Sequence, residues 1–373
     1  MKLLKNQQYV TVLDIGSGKI TVMVGKQTKD GFLIVAQSET RYGGYYDGVW
    51  LEPEKLQQEI TNVVRRAENS LGKKIKEIYV GVPGAFTAVA ASQATVTCRF
   101  KKKFDKNDLA EIYAKANLYK DDVAYKPINR APLYYVINDN KKTNMPVGMD
   151  GTKLTGYISY IYADVRFLNK IETILKNIGV IKVEFVSSCH AESWFLLDQK
   201  VRDNTALLID VGYISTSVML ICGDGISYMR TFSIGGGHIC ADLSEILGIS
   251  YQMAEDLYGK VNLNLEFDPE EVYQLKNSQT ANADQTNQIV KARIEDLARY
   301  IRKSMAGCPN VVNTKMPVFL TGGGLANVKG GVEYLSTVLD KPVSVAHSVN
   351  PLTDKPQYAS SFGVIDLVLN QNN

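Results

Sequence analysis

Unbroken apolar runs separated by glycine turns open the chain. VTVLDIG and KITVMVGK flank a turn at 16–19, and FLIVAQSETR follows a turn at 29–31, so the start predicts strand, turn, strand, strand. The spacing then changes. Leu56, Ile60, Val63, Val64 and Ala67 recur at three- and four-residue steps, which predicts an amphipathic helix over 54–71. Pro53 stands at its start, where a missing N–H costs nothing. IKEIYVGVPG predicts a buried strand ending in a Pro-Gly turn, and the segment as a whole predicts an α/β lobe.

From residue 85 to about 166 the pattern is strand (VAASQATVTCRF), a helix opening at Asp105, then strands at LYYVIND and KLTGYISYIYAD: a small α+β unit inserted in the first lobe. The α/β pattern resumes with a helix over 167–178, the strand VEFVSS and a helix from His190 onward. Strand and turn repeat over 205–235. A region rich in Glu, Gln and Asn, 238–305, predicts helix, and MPVFLTGGGLANV predicts strand, glycine turn and helix start. The boundaries that follow are 1–84, 167–204 and 348–373 for the first lobe, with the insertion at 85–166. The second lobe takes 205–237 and 306–347, with a helical part at 238–305.

A chain of 373 residues exceeds what one hydrophobic core comfortably serves, which favours two lobes. Its 42 basic and 39 acidic residues nearly balance, and no long basic run marks a nucleic-acid surface. The densest patch, KKKF at 101–104, predicts a solvated turn. Five scattered cysteines without CxxC spacing predict reduced thiols, and three histidines offer no zinc-ligand cluster. With neither a signal-like start nor an apolar run of bilayer length, the expectation is a soluble cytoplasmic protein.

Two segments share one layout. In "DIGSGK" (14–19) and "DVGYISTS" (210–217) an apolar strand ends in Asp, one residue precedes Gly, and hydroxyl residues lead into a second strand. Such a turn lets backbone N–H groups face phosphate oxygens while the carboxylate holds the waters of a magnesium ion. The alternative is an ordinary glycine hairpin. The Walker A pattern is excluded, because Leu13 and Ile20 stand where Gly and Ser or Thr are required. Gly322, Gly323 and Gly324, between a strand and an expected helix start, permit close approach of a ligand or simply a tight turn. The cluster 235–237 carries the same two readings.

The order of these pieces is similar to the ATP clamp of the actin, Hsp70 and sugar-kinase superfamily. "MPVGMDGTKL" (145–154) closely resembles a segment of the bacterial cell-division protein FtsA. "YDGVWLEPEKLQQEITNVVRRAE", "IYVGVPGAF", "SIGGGHICADL", "AEDL" and "TGGG" followed by "YASSFGV" extend the resemblance over nearly the whole chain. It implies an α/β, two-lobed actin/Hsp70-like (ribonuclease H-like) fold with the small strand-helix-strand-strand subdomain in the first lobe, on the side opposite to actin's extra subdomain. It also implies ATP or ADP with Mg2+, filament formation, and linkage of an FtsZ-like tubulin homologue to other division proteins or the membrane. The location implied is cytoplasmic, at the division-site face of the membrane. Asp14, Gly16, Ser17, Gly18 and Lys19 would form the first phosphate loop, and Asp210, Gly212 and Thr216 the second. Asp14 and Asp210 would hold magnesium through water. Gly322, Gly323 and Gly324 would face the adenosine, Glu255 the ribose, and Glu192 would lie beneath the catalytic water.

The chain departs from the family at the second loop, where Tyr213 and Ile214 replace two glycines and Ser217 replaces an acid. Side chains there disfavour a cradle of positive φ, so the expectation is at most a weak ATPase. Tyr258 replaces a lysine that would touch the nucleoside, and Lys260 would substitute only after a register shift. The apolar residues of "SSFGVIDLVLNQNN" predict a final core helix of the first lobe rather than the membrane-binding amphipathic helix of FtsA chains. The alternatives are a nucleotide-free scaffold and a PilM-like pilus-assembly adaptor, the latter disfavoured by "PVGMDG". A sugar or acetate kinase is least favoured.

Overall fold

The structure, a computed structural model, describes residues 9–29, 31–118, 122–308 and 316–371. Two five-stranded sheets with the same connectivity form its two lobes. In the first, the antiparallel strands Tyr9–Ile15, Lys19–Thr28 and Gly31–Arg41 are continued on the other side of Tyr9–Ile15 by the parallel strands Glu77–Val82 and Lys182–Ser187. In the second, Ala206–Val211, Thr216–Cys222 and Gly225–Phe232 are continued by Val318–Thr321 and Val343–Val345 in the same order and sense. Of the turn expected at 29–31, Asp30 lies outside the described residues.

The central strand of each sheet is apolar because both of its faces are covered. Leu13 and Ile15 join the core beneath the helix Pro53–Leu71, while Val10 and Val12 pack on the opposite side against the helix Ala359–Gln371. In the second lobe Leu207, Ile209 and Val211 face the main core, whereas Ala206 and Leu208 face the helix Ser188–Leu196 through Cys189 and Leu197.

The insertion is a sheet in the order Thr87–Lys103, Asp150–Asp164, Tyr125–Ile137, Lys141–Thr143, with the helix Lys106–Ala116 on one face. Asp105 caps that helix by accepting from the N–H groups of Asn107 and Asp108, as its position predicts. The sheet packs on the second lobe, where Ser159 Oγ donates to the Ile226 carbonyl at 2.7 Å.

Three local expectations need correction. The lysines at 101–103 end a strand rather than forming a turn. The glycine run at 322–324 does not start a helix; the next helix is Gly331–Leu339, after a series of turns. The region 238–305 is α-helical only over Gly236–Leu247, Tyr251–Tyr258 and Ala283–Ala306, with one short 3-10 turn at Lys276–Ser278. Between the last two α-helices, a stretch containing Gly259 and Pro269 forms turns and a small ladder, Val272–Gln274 with Thr280–Asn282; both residues are poor helix formers.

Candidate functional site: an interlobe cleft

The alternation of a strand brings the carboxylates together. Asp14 continues the face of Val10 and Val12, and Asp210 continues that of Ala206 and Leu208; both faces meet the single helix Ser188–Leu196, which carries the buried Glu192. Ser187 starts that helix by accepting from the His190 N–H, and its first turn lies against the strand ends. A cleft of about 500 Å³ between the lobes is lined by Asp14, Asp210 and Glu192 together with both loops.

The two loops have one geometry. Gly16 N–H donates to the Lys19 carbonyl at 2.9 Å, and Gly212 N–H donates to the Ser215 carbonyl at 2.9 Å. Asp14 stands opposite Thr21 and Asp210 opposite Ser217 in the two registers. Tyr213 and Ile214 adopt negative φ, so the second loop follows a path open to ordinary side chains. That loop touches the first. Ile214 N–H donates to Ser17 Oγ at 2.9 Å, and the Tyr213 ring lies against Gly18. The Tyr213 hydroxyl bonds to Glu255 at 2.8 Å and to the Tyr251 hydroxyl at 2.7 Å.

The carboxylates hold their protons tightly. Burial raises Asp14, against hydrogen bonds donated by Ser360 and Ser361 at 2.6 and 2.9 Å. Burial and then the Asp14 charge push Asp210 up to about 7. Burial, followed by the charges of Asp210 and Asp14, holds Glu192 well above the usual carboxylate range, and Thr321 donates to it at 3.4 Å. Three buried carboxyl groups, with the Asp14 charge raising the proton affinity of Asp210 and of Glu192, create a site that favours a cation. A magnesium ion carried with a nucleotide fits this field. Among the described residues no group of three or more His, Cys, Asp or Glu is arranged to hold a metal ion.

Gly16, Ser17, Gly18, Lys19, Gly212, Glu255, Gly322 and Gly323 also line the cleft. Lys19 is held at its side, bonded to Glu39 at 3.1 Å and lying over the Tyr358 ring. Glu255 pairs with Arg41 at 2.6 Å across the lobes. Gly322 has φ 89°, and a Cβ there would stand 2.3 Å from Asp210 Oδ1. Thr216 and Gly324 lie outside the lining. Thr216 donates to the Ile234 carbonyl, and a Cβ on Gly324 would strike the Gly212 carbonyl at 2.1 Å. Tyr258 is fixed to the Gly324 carbonyl at 2.7 Å, and Lys260 to the Gln274 carbonyl at 2.6 Å. The helix beginning at Gly236 spends its first N–H groups on the Gly212 and Tyr213 carbonyls, at 3.0 and 2.6 Å.

Sequence reasoning did not single out Ser188, Gln357, Ser360 or Ser361. The last two belong to "YASSFGV", whose paired hydroxyls at a helix start were the available signal. Ser188 is buried in the cleft wall with its Oγ unbonded.

Comparison with known proteins places this geometry. A family model described as "Cell division protein FtsA" matches residues 207–363. The Cell division protein FtsA of Pseudomonas aeruginosa is 22% identical over 98% of the chain and 90% of its own length. Among solved structures, a PilM-PilN type IV pilus biogenesis complex superposes with a TM-score of 0.63 at 15% identity, over 95% of this chain and 97% of that one. MreB 5 of Spiroplasma citri bound to AMPPNP does so with a TM-score of 0.57 at 11% identity, over 99% and 98%. At these identities the structural likenesses speak for the fold, which is the two-lobed actin-like one.

Proposed function

From the premise that the chain is an FtsA-like bacterial cell-division protein of the actin-like superfamily, we propose that it binds ATP or ADP with magnesium between its hairpins. On this reading it assembles into nucleotide-dependent filaments that act as a cytoskeletal adaptor. The supporting observation is the pair of equal Asp-Gly hairpins facing one cleft, with Asp14, Asp210 and Glu192 gathered at its floor. MreB 5, which shares the fold, was solved with AMPPNP.

When bound, magnesium would offset the charge of the phosphates and of the cleft. Asp14 and Asp210 would hold its waters, with Ser360 and Ser361 fixing the Asp14 carboxylate. Gly322 and Gly323 would admit the adenosine closely, and Glu255 would take the ribose side. Turnover would be slow, because Tyr213 and Ile214 replace a glycine cradle and Glu192 is held protonated by its surroundings. The partners of this reading are an FtsZ-like tubulin homologue and other division proteins, met in the cytoplasm at the membrane face of the division site. Among the described residues no helix is long and apolar enough to cross a membrane.

A second reading, a scaffold that uses no nucleotide, draws on the Ser17–Ile214 bond and the Arg41–Glu255 pair, which join the lobes through protein contacts alone. Sedimentation separates the two. Pelleting that requires magnesium–nucleotide, and that Asp14→Ala abolishes, is expected; equal pelleting without nucleotide or in Asp14→Ala supports the scaffold.

A further inference from the structure

We infer that the cleft accepts nucleoside diphosphates in preference to triphosphates, and that Ser17, Tyr213 and Ile214 set this choice. The inference rests on the nucleotide reading above and sharpens it to a ligand class.

A terminal phosphate lodged between two facing hairpins takes hydrogen bonds from both. Here the hairpins bond to each other instead. Ser17 Oγ accepts from the Ile214 N–H at 2.9 Å, one hydrogen-bond length. A phosphate oxygen placed between those atoms would need a bond to each, a separation of about 5–6 Å. Gly212 is near as well: a Cβ built on it would stand 3.6 Å from Ser17 Oγ, at van der Waals contact.

Tyr213 keeps the hairpins in this position. Its ring bears on Gly18 of the first loop and on Gly237 behind it, and its hydroxyl is fixed by Tyr251 and Glu255. The Tyr251 hydroxyl also lies 3.0 Å from the Gly237 carbonyl, so its single proton is shared between that oxygen and Tyr213. Ile214, branched at Cβ, stiffens the same turn. A triphosphate must break the Ser17–Ile214 bond and displace a ring held on three sides. A diphosphate ending short of the hairpin contact leaves both in place, while Asp14, Asp210 and the glycine turn at Gly322 remain open to it.

Calorimetric titration of magnesium–ADP and of a magnesium-loaded, non-hydrolysable ATP analogue tests this. Wild type should bind the diphosphate about tenfold more tightly, a difference that one lost hydrogen bond and a displaced ring readily supply. The ratio should fall to within about twofold in the double variant Tyr213→Gly/Ile214→Gly. It should also fall in Ser17→Ala, which frees the Ile214 N–H with little change in packing and serves if the double variant does not fold. Equal affinities in wild type, or a tighter triphosphate, overturn the inference while leaving the nucleotide reading intact. Failure to bind either ligand overturns both.

Discussion

The ring of Tyr213 rests on Gly18, joining the lobes at the mouth of the cleft: a Cβ on Gly18 would stand 2.5 Å from Tyr213 Cδ1 and 2.9 Å from its Cβ. The obstruction lies at the root of the ring as well as its edge, so rotation of the side chain does not relieve it. Gly18→Ala should therefore cost about 1–3 kcal/mol, the usual range for overpacking. Urea unfolding of wild type and variant measures it.

The bonds of the Tyr213 hydroxyl, made within the second lobe, contribute more to stability than the interlobe ion pair beside them. Arg41 is largely exposed, so its 2.6 Å contact with Glu255 is screened by water and salt. Arg41→Ala should change stability by less than about 1 kcal/mol. Tyr213→Phe removes a partly buried hydroxyl bonded to Tyr251 and Glu255 and should cost about 1 kcal/mol or more. Parallel denaturation in low and high salt distinguishes them, since only the Arg41 contribution should fade with salt.

The cleft carboxylates make the metal-free protein sensitive to pH. Folded, Asp210 keeps its proton to about pH 7, against an ordinary value of 3.8, because of burial and the Asp14 charge. Folding therefore takes up a proton between these values, and this contribution to stability is lost as pH rises through them. In EDTA, Asp210→Asn should be more stable than wild type by roughly 2 kcal/mol at pH 8, a figure discounted for solvent reaching the cleft. The gain should vanish by pH 4. Urea melts at the two pH values give both numbers.

Two helices meet closely at the cleft floor. A Cβ on Gly363 would lie 2.7 Å from the Ala191 carbonyl and 2.8 Å from the Glu192 N, both backbone atoms that cannot rotate aside. Gly363→Ala should force the helices Ala359–Gln371 and Ser188–Leu196 apart at a cost of about 1–3 kcal/mol. Thermal unfolding followed by circular dichroism reads the loss.

Much of this architecture is legible from residue spacing. Apolar runs flanking Asp14 and Asp210 mark the central strands, and the spacing of Leu56, Ile60 and Val63 marks the first long helix. The glycine run at 322–324 misleads about a helix, because Gly322 serves a left-handed turn beside Asp210 and Gly324 serves backbone packing on Gly212. Neither role requires a helix to follow. The pairing of Tyr213 with Gly18 joins loops far apart in sequence, so no local pattern announces it. The substitution of Tyr213 and Ile214 for glycine was visible; that their loop would bond to Ser17 was not.

Binding of magnesium–ADP to wild type and Asp210→Asn, with and without EDTA, bears most directly on the cleft. Saturable one-site binding in wild type is expected, weakened about tenfold or more both by EDTA and by loss of the Asp210 charge. No saturable binding, or binding of equal strength in all conditions, would contradict a magnesium–nucleotide site between the two hairpins.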